Sequence, residues 1–232
     1  MILSSMSYLN QPITPAVKIA GRRENFAVRR VYCVGWNYEE HIREMGQDPK
    51  REPPVFFMKP PDALMPNGGL IPYPTATQNL HYEIELVVAI GSSAKDIATS
   101  AAQEIIYGYA VGLDMTRRDL QAHAKQNGQP WALAKGFDHS APISAIHPAC
   151  DIGHPSSGSI WLEVNGERRQ DGDLSRMIWS VPEIIQHLSG YFELFPGDLI
   201  FTGTPAGVSA VVQGDQLRGG IEMIDTLEIT LD

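Results

Sequence analysis

Two glutamates, Glu83 and Glu85, stand one residue apart in the otherwise apolar segment HYEIELVVAI. In a β-strand both side chains point to one face, and Val87 and Ala89 continue the same row. Two carboxylates in such a row repel each other and lose solvation, so one of them protonates unless a cation lies nearby. A divalent metal ion would be such a cation. A solvated Glu-x-Glu pair at a strand end is the ordinary alternative.

A third carboxylate, Asp114, ends the strand-like segment YGYAVGLD and directly precedes a helix-start pattern. A side chain at such a junction can face a cleft. Three carboxylates form an oxygen-only site, which suits Mg²⁺, Mn²⁺ or Ca²⁺ better than zinc. The alternative for Asp114 is a helix-entry residue that binds backbone N–H groups.

His41 and Glu44 lie three residues apart in NYEEHIREMG and therefore share one face of a short helix. A carboxylate beside an imidazole orients the ring and raises its basicity, as a base that activates water requires. Lys135, in WALAKGFD, follows apolar residues and can be drawn inward against the acidic group. An exposed His–Glu pair and a solvated lysine are the ordinary alternatives.

The elements that must position these residues are mostly strands. Thr116 with Asp119, and Ser180 with Glu183, have capping-box spacing, which predicts helices from Thr116 to about Gly128 and from Ser180 to Gly190. Asn165-Gly166 predicts a type I′ hairpin turn. Further helices are predicted over 37–45 and up to about Ile106, and strands are predicted over 31–34, 55–58, 83–90, 107–113, 160–164, 199–202, 210–212 and 226–231. The pattern indicates an α+β domain over 31–232, preceded by an irregular segment over 1–30 that packs on it.

Composition limits the function classes. The 232 residues have 43% hydrophobic content and a formal charge of −9, an ordinary globular balance whose acidity disfavours nucleic acid and anionic membranes. GxGxxG, GxxxxGK, GxSxG and HExxH motifs do not occur. The glycines of TGTPAG (202–207) are compatible with a phosphate cradle, but glycine turns between strands are commoner.

Cysteines and termini indicate a reducing compartment. Cys33 and Cys150 have no CxxC partner, so we expect two reduced and mostly buried thiols rather than a disulfide or zinc site. Met1 to Asn10 lacks the pattern of a secretory signal, and runs such as Leu86 to Ile90 are too short to span a bilayer. We therefore expect a cytoplasmic protein.

Several separated blocks resemble the fumarylacetoacetate hydrolase family, in its acylpyruvate hydrolase branch. The resemblance extends from about Val31 to the C-terminus and covers only the catalytic domain. The blocks are VGWNYEEHIREMG, FFMKPPDAL, HYEIELVVAIG, YAVGLDMTRRDLQ, PWALAKGFD, VNGERRQ and FTGTPAGV. The resemblance implies an α+β fold of mixed β-sheets rolled around the active site with a few short helices, and a homodimer.

The same resemblance implies roles for individual residues. Mg²⁺ or Mn²⁺, with Ca²⁺ as an alternative occupant in crystals, is held by a carboxylate triad, and a water-activating pair lies on a lid whose charged loop, 47–54, orders on binding. Lys135 matches the active-site lysine. The residues that this assigns are the metal ligands Glu83, Glu85 and Asp114, the catalytic residues His41, Glu44 and Lys135, and the substrate-binding residues Arg118, Gln121 and Thr204.

The implied substrate is a 2,4-diketo acid, with fumarylpyruvate of gentisate-type aromatic degradation as the first choice. Arg117 is a candidate partner for its second carboxylate, although Arg117 and Arg118 point about 100° apart on a helix and do not both face one atom. Oxaloacetate decarboxylation, or isomerisation and decarboxylation of aromatic-breakdown intermediates, is the alternative on this scaffold. A non-catalytic oxo-acid binding protein and a metal-indifferent sugar- or protein-binding β domain are the remaining alternatives.

Overall fold

The computed structural model describes Leu9, residues 13–46, Asp48 and residues 52–232. The strands of this part are β1 Ala16–Lys18, β2 Asn25–Ala27, β3 Arg30–Gly35, β4 Val55–Lys59, β5 Leu64–Pro66, β6 Gly69–Ile71, β7 Leu80–His81, β8 Ile84–Ile90, β9 Ile106–Leu113, β10 Thr116–Arg117, β11 Ala141–Ile143, β12 His147–Pro148, β13 Ser159–Val164, β14 Glu167–Asp173, β15 Asp198–Phe201, β16 Ala210–Val211, β17 Gln216–Ile221 and β18 Asp225–Leu231. The helices are α1 Glu39–Glu44, α2 Arg118–Gln126, α3 Ala132–Lys135, α4 Ala149–Ile152 and α5 Val181–Tyr191.

A large mixed sheet carries the site. Its order is β4-β3-β15-β8-β9-β11-β5, with β12 paired beside β9. The β3–β15 and β11–β5 pairs are parallel and the others antiparallel. A second sheet, β14-β13-β17-β18-β6, packs against β8 and β9. The structure confirms the expected α+β fold of mixed sheets with few short helices.

The central strand β8 is buried on both faces. Ile84, Leu86 and Val88 belong to the main apolar cluster between the two sheets, whereas Val87 and Ala89 belong to a smaller cluster on the opposite face. This alternation follows from the two-residue period of a strand. It puts Glu85 at the end of the second apolar row, as the sequence predicted.

Two local predictions are confirmed by the backbone. Ser180 and Glu183 form a capping box at the start of α5, which ends at Tyr191, one residue beyond the expected glycine. Asn165 and Gly166 both have positive φ, +52° and +81°, in the turn that joins β13 to β14. Both motifs are local, so distant residues do not compete for them.

The Thr116 capping box is wrong. Helix α2 begins at Arg118, because the Thr116 hydroxyl donates to the Asp114 carbonyl and accepts a hydrogen bond from Lys135 Nζ. Asp119 instead accepts hydrogen bonds from the Thr77 hydroxyl at 2.5 Å and the Gln78 N–H at 2.9 Å. The side chains of Thr116 and Asp119 therefore bind tertiary partners instead of forming a capping box with each other.

Other differences are smaller. Residues 99–105 form a 3₁₀ helix rather than an α-helix, and α1 is shorter than predicted. Strands β1 and β2 pair within the segment expected to be irregular. Cys33 is buried as expected, but Cys150 is exposed. Of the predicted lid loop, 47–54, residues 47 and 49–51 lie outside the described residues. None of the described helices is long and apolar enough to cross a bilayer.

Candidate active site

The three predicted metal ligands come together where β8 and β9 meet. Glu85 lies within β8 opposite Gly112 of β9, and the Asp114 N–H donates to the Glu83 carbonyl at 2.9 Å. This antiparallel pairing puts one carboxylate oxygen of each of Glu83, Glu85 and Asp114 within 4.8 Å of the others. All three side chains are buried.

Three cations compensate part of the acidic cluster. Lys135 Nζ donates to Glu83 Oε2 and Asp114 Oδ2, both at 2.7 Å, and the Arg118 guanidinium donates to Glu83 Oε1 at 2.6 Å. Lys59 Nζ lies 2.8 Å from Asp114 Oδ1. Burial raises the pKa of Glu83, but the charges of Lys135 and Arg118 outweigh burial and lower it below the usual range.

Glu85 lacks such a cation among the described residues. Its Oε2 accepts a hydrogen bond from the Gly203 N–H at 2.8 Å. Burial, together with the negative charges of Asp114 and Glu83, raises the pKa of Glu85 well above its usual value. A buried carboxyl group with a raised pKa, beside two further carboxylates, fits a site for a hard dication such as Mg²⁺ or Mn²⁺. Glu83, Glu85 and Asp114 would hold the ion.

We predict that Mn²⁺ binding displaces a proton from Glu85. Because its pKa is raised in the metal-free protein, Glu85 is protonated below that pKa, and the ion must compete with the proton. The affinity for Mn²⁺ should therefore rise by up to tenfold per pH unit below the raised pKa and level off above it. Isothermal titration in buffers of different ionisation enthalpy measures the released proton.

Two variants make this titration specific. Glu85→Gln should lose the proton release and most of the affinity, whereas the exposed control Glu24→Gln should behave as wild type. Mn²⁺ binding by the wild-type chain with no proton release at pH 5.5 would show that Glu85 is already ionised without the ion.

The histidine–glutamate pair lies beside the triad, and its His41 lines a cavity together with Glu83 and Glu85. His41 Nδ1 lies 3.2 Å from Glu44 Oε2 on α1, and His41 is buried. Glu44 Oε1 accepts a hydrogen bond from the Gly207 N–H at 3.0 Å. Burial raises the pKa of Glu44, but the hydrogen bonds from His41 and the Gly207 N–H outweigh it and lower that pKa. Glu44 therefore stays ionised at neutral pH and orients the imidazole.

One loop, residues 202–207, contacts both halves of the site. Gly203 donates to Glu85 and Gly207 donates to Glu44. Both glycines have positive φ, and a Cβ on Gly207 would lie 2.0 Å from the Arg169 carbonyl oxygen. The loop that the sequence left open as a phosphate cradle thus binds carboxylates of the chain itself.

A buried asparagine fixes the segment before α1. The Asn37 amide donates to the Thr202 carbonyl at 2.8 Å and to the Trp179 carbonyl at 3.0 Å, and its oxygen accepts from the Trp179 N–H. These bonds tie α1 to the end of β15. They explain how a helix of six residues holds His41 in place.

The expected substrate-binding residues divide into two groups. Arg118, Gln121 and Thr204 line the cavity with Glu83 and Glu85, and Arg118 donates to the Gln121 amide oxygen at 2.7 Å. Arg117 does not line it: its guanidinium stacks on Phe137, 4.2 Å from the ring centroid, and donates to the Leu133 carbonyl. Its proposed role stays a prediction.

Sequence reasoning missed several residues of the site. Lys59 has a fully buried ammonium group that donates hydrogen bonds to the carbonyls of Met115 and Lys135. The sequence feature that could have indicated its burial is its position at the end of an apolar strand. An aromatic wall and a further lysine also line the cavity. These residues are Trp36, Phe57, Trp131 and Lys125.

The family assignment follows from comparison with known proteins. The family described as "Fumarylacetoacetate (FAA) hydrolase C-terminal" matches residues 30–232. The chain belongs to the fumarylacetoacetate hydrolase family. The resemblance first noted in the sequence blocks is thereby confirmed.

Relatives within this family carry two different activities. A crystal structure of fumarylpyruvate hydrolase from Pseudomonas aeruginosa in complex with Mn²⁺ and pyruvate is 51% identical, covers 97% of this chain and 99% of its own, and superposes with a TM-score of 0.95. The fumarylpyruvate hydrolase of Ralstonia sp is 45% identical over 79% of this chain and 95% of its own. Human mitochondrial oxaloacetate tautomerase FAHD1 is also 45% identical, over 83% of this chain and 87% of its own.

These comparisons agree with the chemistry of the triad. The Pseudomonas structure holds Mn²⁺, and the acidic triad here can bind a metal ion of that kind. The chain is thus similar both to hydrolases and to tautomerases of one family.

Proposed function

We propose that this enzyme hydrolyses a carbon–carbon bond of a 2,4-diketo acid, with fumarylpyruvate as substrate and fumarate and pyruvate as products. The observation that carries the proposal is that Glu83 and Glu85 of the acidic triad line one cavity together with His41, whose ring is paired with Glu44. A water-activating base beside a metal site is what hydrolysis needs. Similarity to two fumarylpyruvate hydrolases supports the choice of substrate.

His41 and Glu44 have different roles in the proposed reaction. His41 takes a proton through Nε2 from the water that attacks the C4 carbonyl carbon, while Glu44 at Nδ1 stabilises the protonated ring. The C3–C4 bond then breaks, C3 receives a proton, and the water oxygen leaves in fumarate. Bound metal would stabilise the negative charge that develops on substrate oxygen.

Residues of α2 would bind the oxo-acid end of the substrate. Arg118 and Gln121 lie one helical turn apart on one face, with Thr204 across the cavity. Lys135 supplies a cationic donor to the same region, and the aromatic wall excludes water from it. A cation aimed at charge that grows during the reaction stabilises the transition state more than the ground state.

Oxaloacetate tautomerisation is the second candidate. It is favoured by the oxaloacetate tautomerases of Homo sapiens and Bos taurus, which are 45% and 42% identical. A tautomerase moves a proton but needs no attacking water. The homodimer implied by the family resemblance, cytoplasmic localisation and the oxaloacetate decarboxylase alternative also stay predictions.

The decisive experiment follows the enol absorbance of fumarylpyruvate in the presence of Mn²⁺ or Mg²⁺, with identification of the products. We expect metal-dependent formation of fumarate and pyruvate in equal amounts, abolished by a chelator. Catalysed enol–keto exchange of oxaloacetate, with no cleavage of fumarylpyruvate, would reject the hydrolase proposal in favour of the second candidate.

A further inference from the structure

We propose that Lys125, held against Trp36 and Trp131, is a specificity-determining residue that binds the carboxylate at the far end of the substrate. The inference rests on the proposed function, because it concerns the end of a diketo acid that lies away from the metal ligands. Arg117, the sequence-based candidate for this role, does not line the cavity.

Helix α2 presents three polar side chains in one row. Arg118, Gln121 and Lys125 are separated by three and four residues, so they share one face of the helix, and all three line the cavity with Glu83 and Glu85. Arg118 and Gln121 are hydrogen-bonded to each other and adjoin Glu83. Lys125 therefore marks the end of the row that lies away from the triad.

Aromatic rings fix the position of the Lys125 ammonium group. Its Nζ lies 5.1 Å from the ring centroid of Trp36 and 5.2 Å from that of Trp131. The two indoles meet edge to face, with centroids 5.6 Å apart. Ring faces attract a cation without neutralising it, so the ammonium keeps its capacity to bind an anion.

The backbone at Trp36 supports a binding role for this group. Trp36 has φ +61°, a left-handed conformation that is rare for a bulky side chain. Strained backbone of this kind persists where surrounding structure enforces it, and it concentrates at ligand sites. Here the unusual conformation places the indole against Lys125 in the cavity.

Lys125 also lacks a carboxylate partner among the described residues, unlike Lys135 and Lys59. Burial and the positive charge of Arg118 lower the pKa of Lys125 to about 8, with a smaller contribution from Lys135. Glu83 opposes this shift only in part. A ligand carboxylate beside the ammonium group would supply the missing negative charge.

The spacing suits a long dicarboxylate. Lys125 follows Arg118 by seven positions in the helix, which corresponds to an axial distance of about 10.5 Å. The terminal carboxyl carbons of an extended seven-carbon diacid lie about 7–8 Å apart, given bonds of ~1.5 Å. Those of a four-carbon diacid are only about half as far apart. The row therefore favours a seven-carbon substrate such as fumarylpyruvate over oxaloacetate.

The test compares two uncleavable ligands of this length. 2-Oxoheptanedioate and 2-oxoheptanoate differ by one terminal carboxylate, and neither has the 4-oxo group that hydrolysis requires. Titration calorimetry with the Mn²⁺-loaded chain should show that the wild type binds the diacid about 10- to 100-fold more tightly than the monoacid. Lys125→Met should lose this preference while binding the monoacid as well as the wild type does.

Lys125→Arg should keep the preference, and the exposed control Lys18→Met should match the wild type. Unchanged Mn²⁺ affinity and thermal midpoint in Lys125→Met would show that the site remains folded. Equal binding of both ligands by the wild type, or a preference that survives in Lys125→Met, would overturn the inference. A Lys125-dependent preference in a chain that does not cleave fumarylpyruvate would reject the proposed reaction and leave the carboxylate site in place.

Discussion

His41→Asn should lower kcat for fumarylpyruvate hydrolysis by about 10²–10⁴-fold while leaving Mn²⁺ affinity unchanged. His41 is not part of the triad, but its ring lines the same cavity and is oriented by Glu44 at 3.2 Å. Without the imidazole, the attacking water has no base, so the hydrolytic step slows while the ligands of the ion stay intact. Stopped-flow or steady-state loss of the enol absorbance, alongside metal titration, measures both quantities.

Glu44→Gln provides the matched comparison. The amide keeps an oxygen for the Gly207 N–H but no longer provides the negative charge that stabilises a protonated His41. We expect a smaller loss in kcat than with His41→Asn, in the same direction. If His41→Asn hydrolyses fumarylpyruvate within threefold of the wild-type rate, His41 is not the base.

Lys59→Met should destabilise the metal-free protein by about 3–5 kcal/mol. Lys59 is buried, its Nζ lies 2.8 Å from Asp114 Oδ1, and it donates to the carbonyls of Met115 and Lys135. Removing the ammonium group leaves Asp114 with Lys135 as its one close cation within the described part of the chain, takes the cation away from Asp114 Oδ1, and removes a donor from the Met115 and Lys135 carbonyls. Urea-induced unfolding gives the change in the free energy of unfolding.

Two comparisons distinguish this effect from general loss of a lysine. Lys18→Met, on an exposed position of β1, should change the free energy of unfolding by less than about 0.5 kcal/mol. Saturating Mn²⁺ should restore part of the stability of Lys59→Met, since the ion supplies positive charge to Asp114. A destabilisation below about 1 kcal/mol without metal would contradict the role assigned to Lys59.

Most of the structural features that could be predicted from the sequence depend on patterns over a few neighbouring residues. The two-residue period of β8 placed Glu85 at the end of an apolar row, and the three-residue spacing placed His41 beside Glu44. The capping box at Ser180 depends on residues three positions apart. Each of these patterns is decided within one element, where local geometry leaves few alternatives.

Long-range partners explain what the sequence did not predict. Thr116 reads as a helix cap, yet Lys135, nineteen residues away, binds its hydroxyl. Lys59 and Lys125 look like ordinary solvated lysines until the strand register and the chain path put carbonyls and indoles around them. Pairing register and side-chain neighbours across sheets do not follow from spacing in one segment.

The loop over 202–207 contains two glycines at which we expect this chain to tolerate few substitutions. Gly203 and Gly207 have no side chain to offer, yet their N–H groups hold Glu85 and Glu44. A Cβ at either position meets backbone or side-chain atoms of a neighbouring segment at 2.7 Å or less. In a saturation-mutagenesis screen, these two glycines should therefore rank with the acidic and histidine residues, although chemistry alone would class them as spacers.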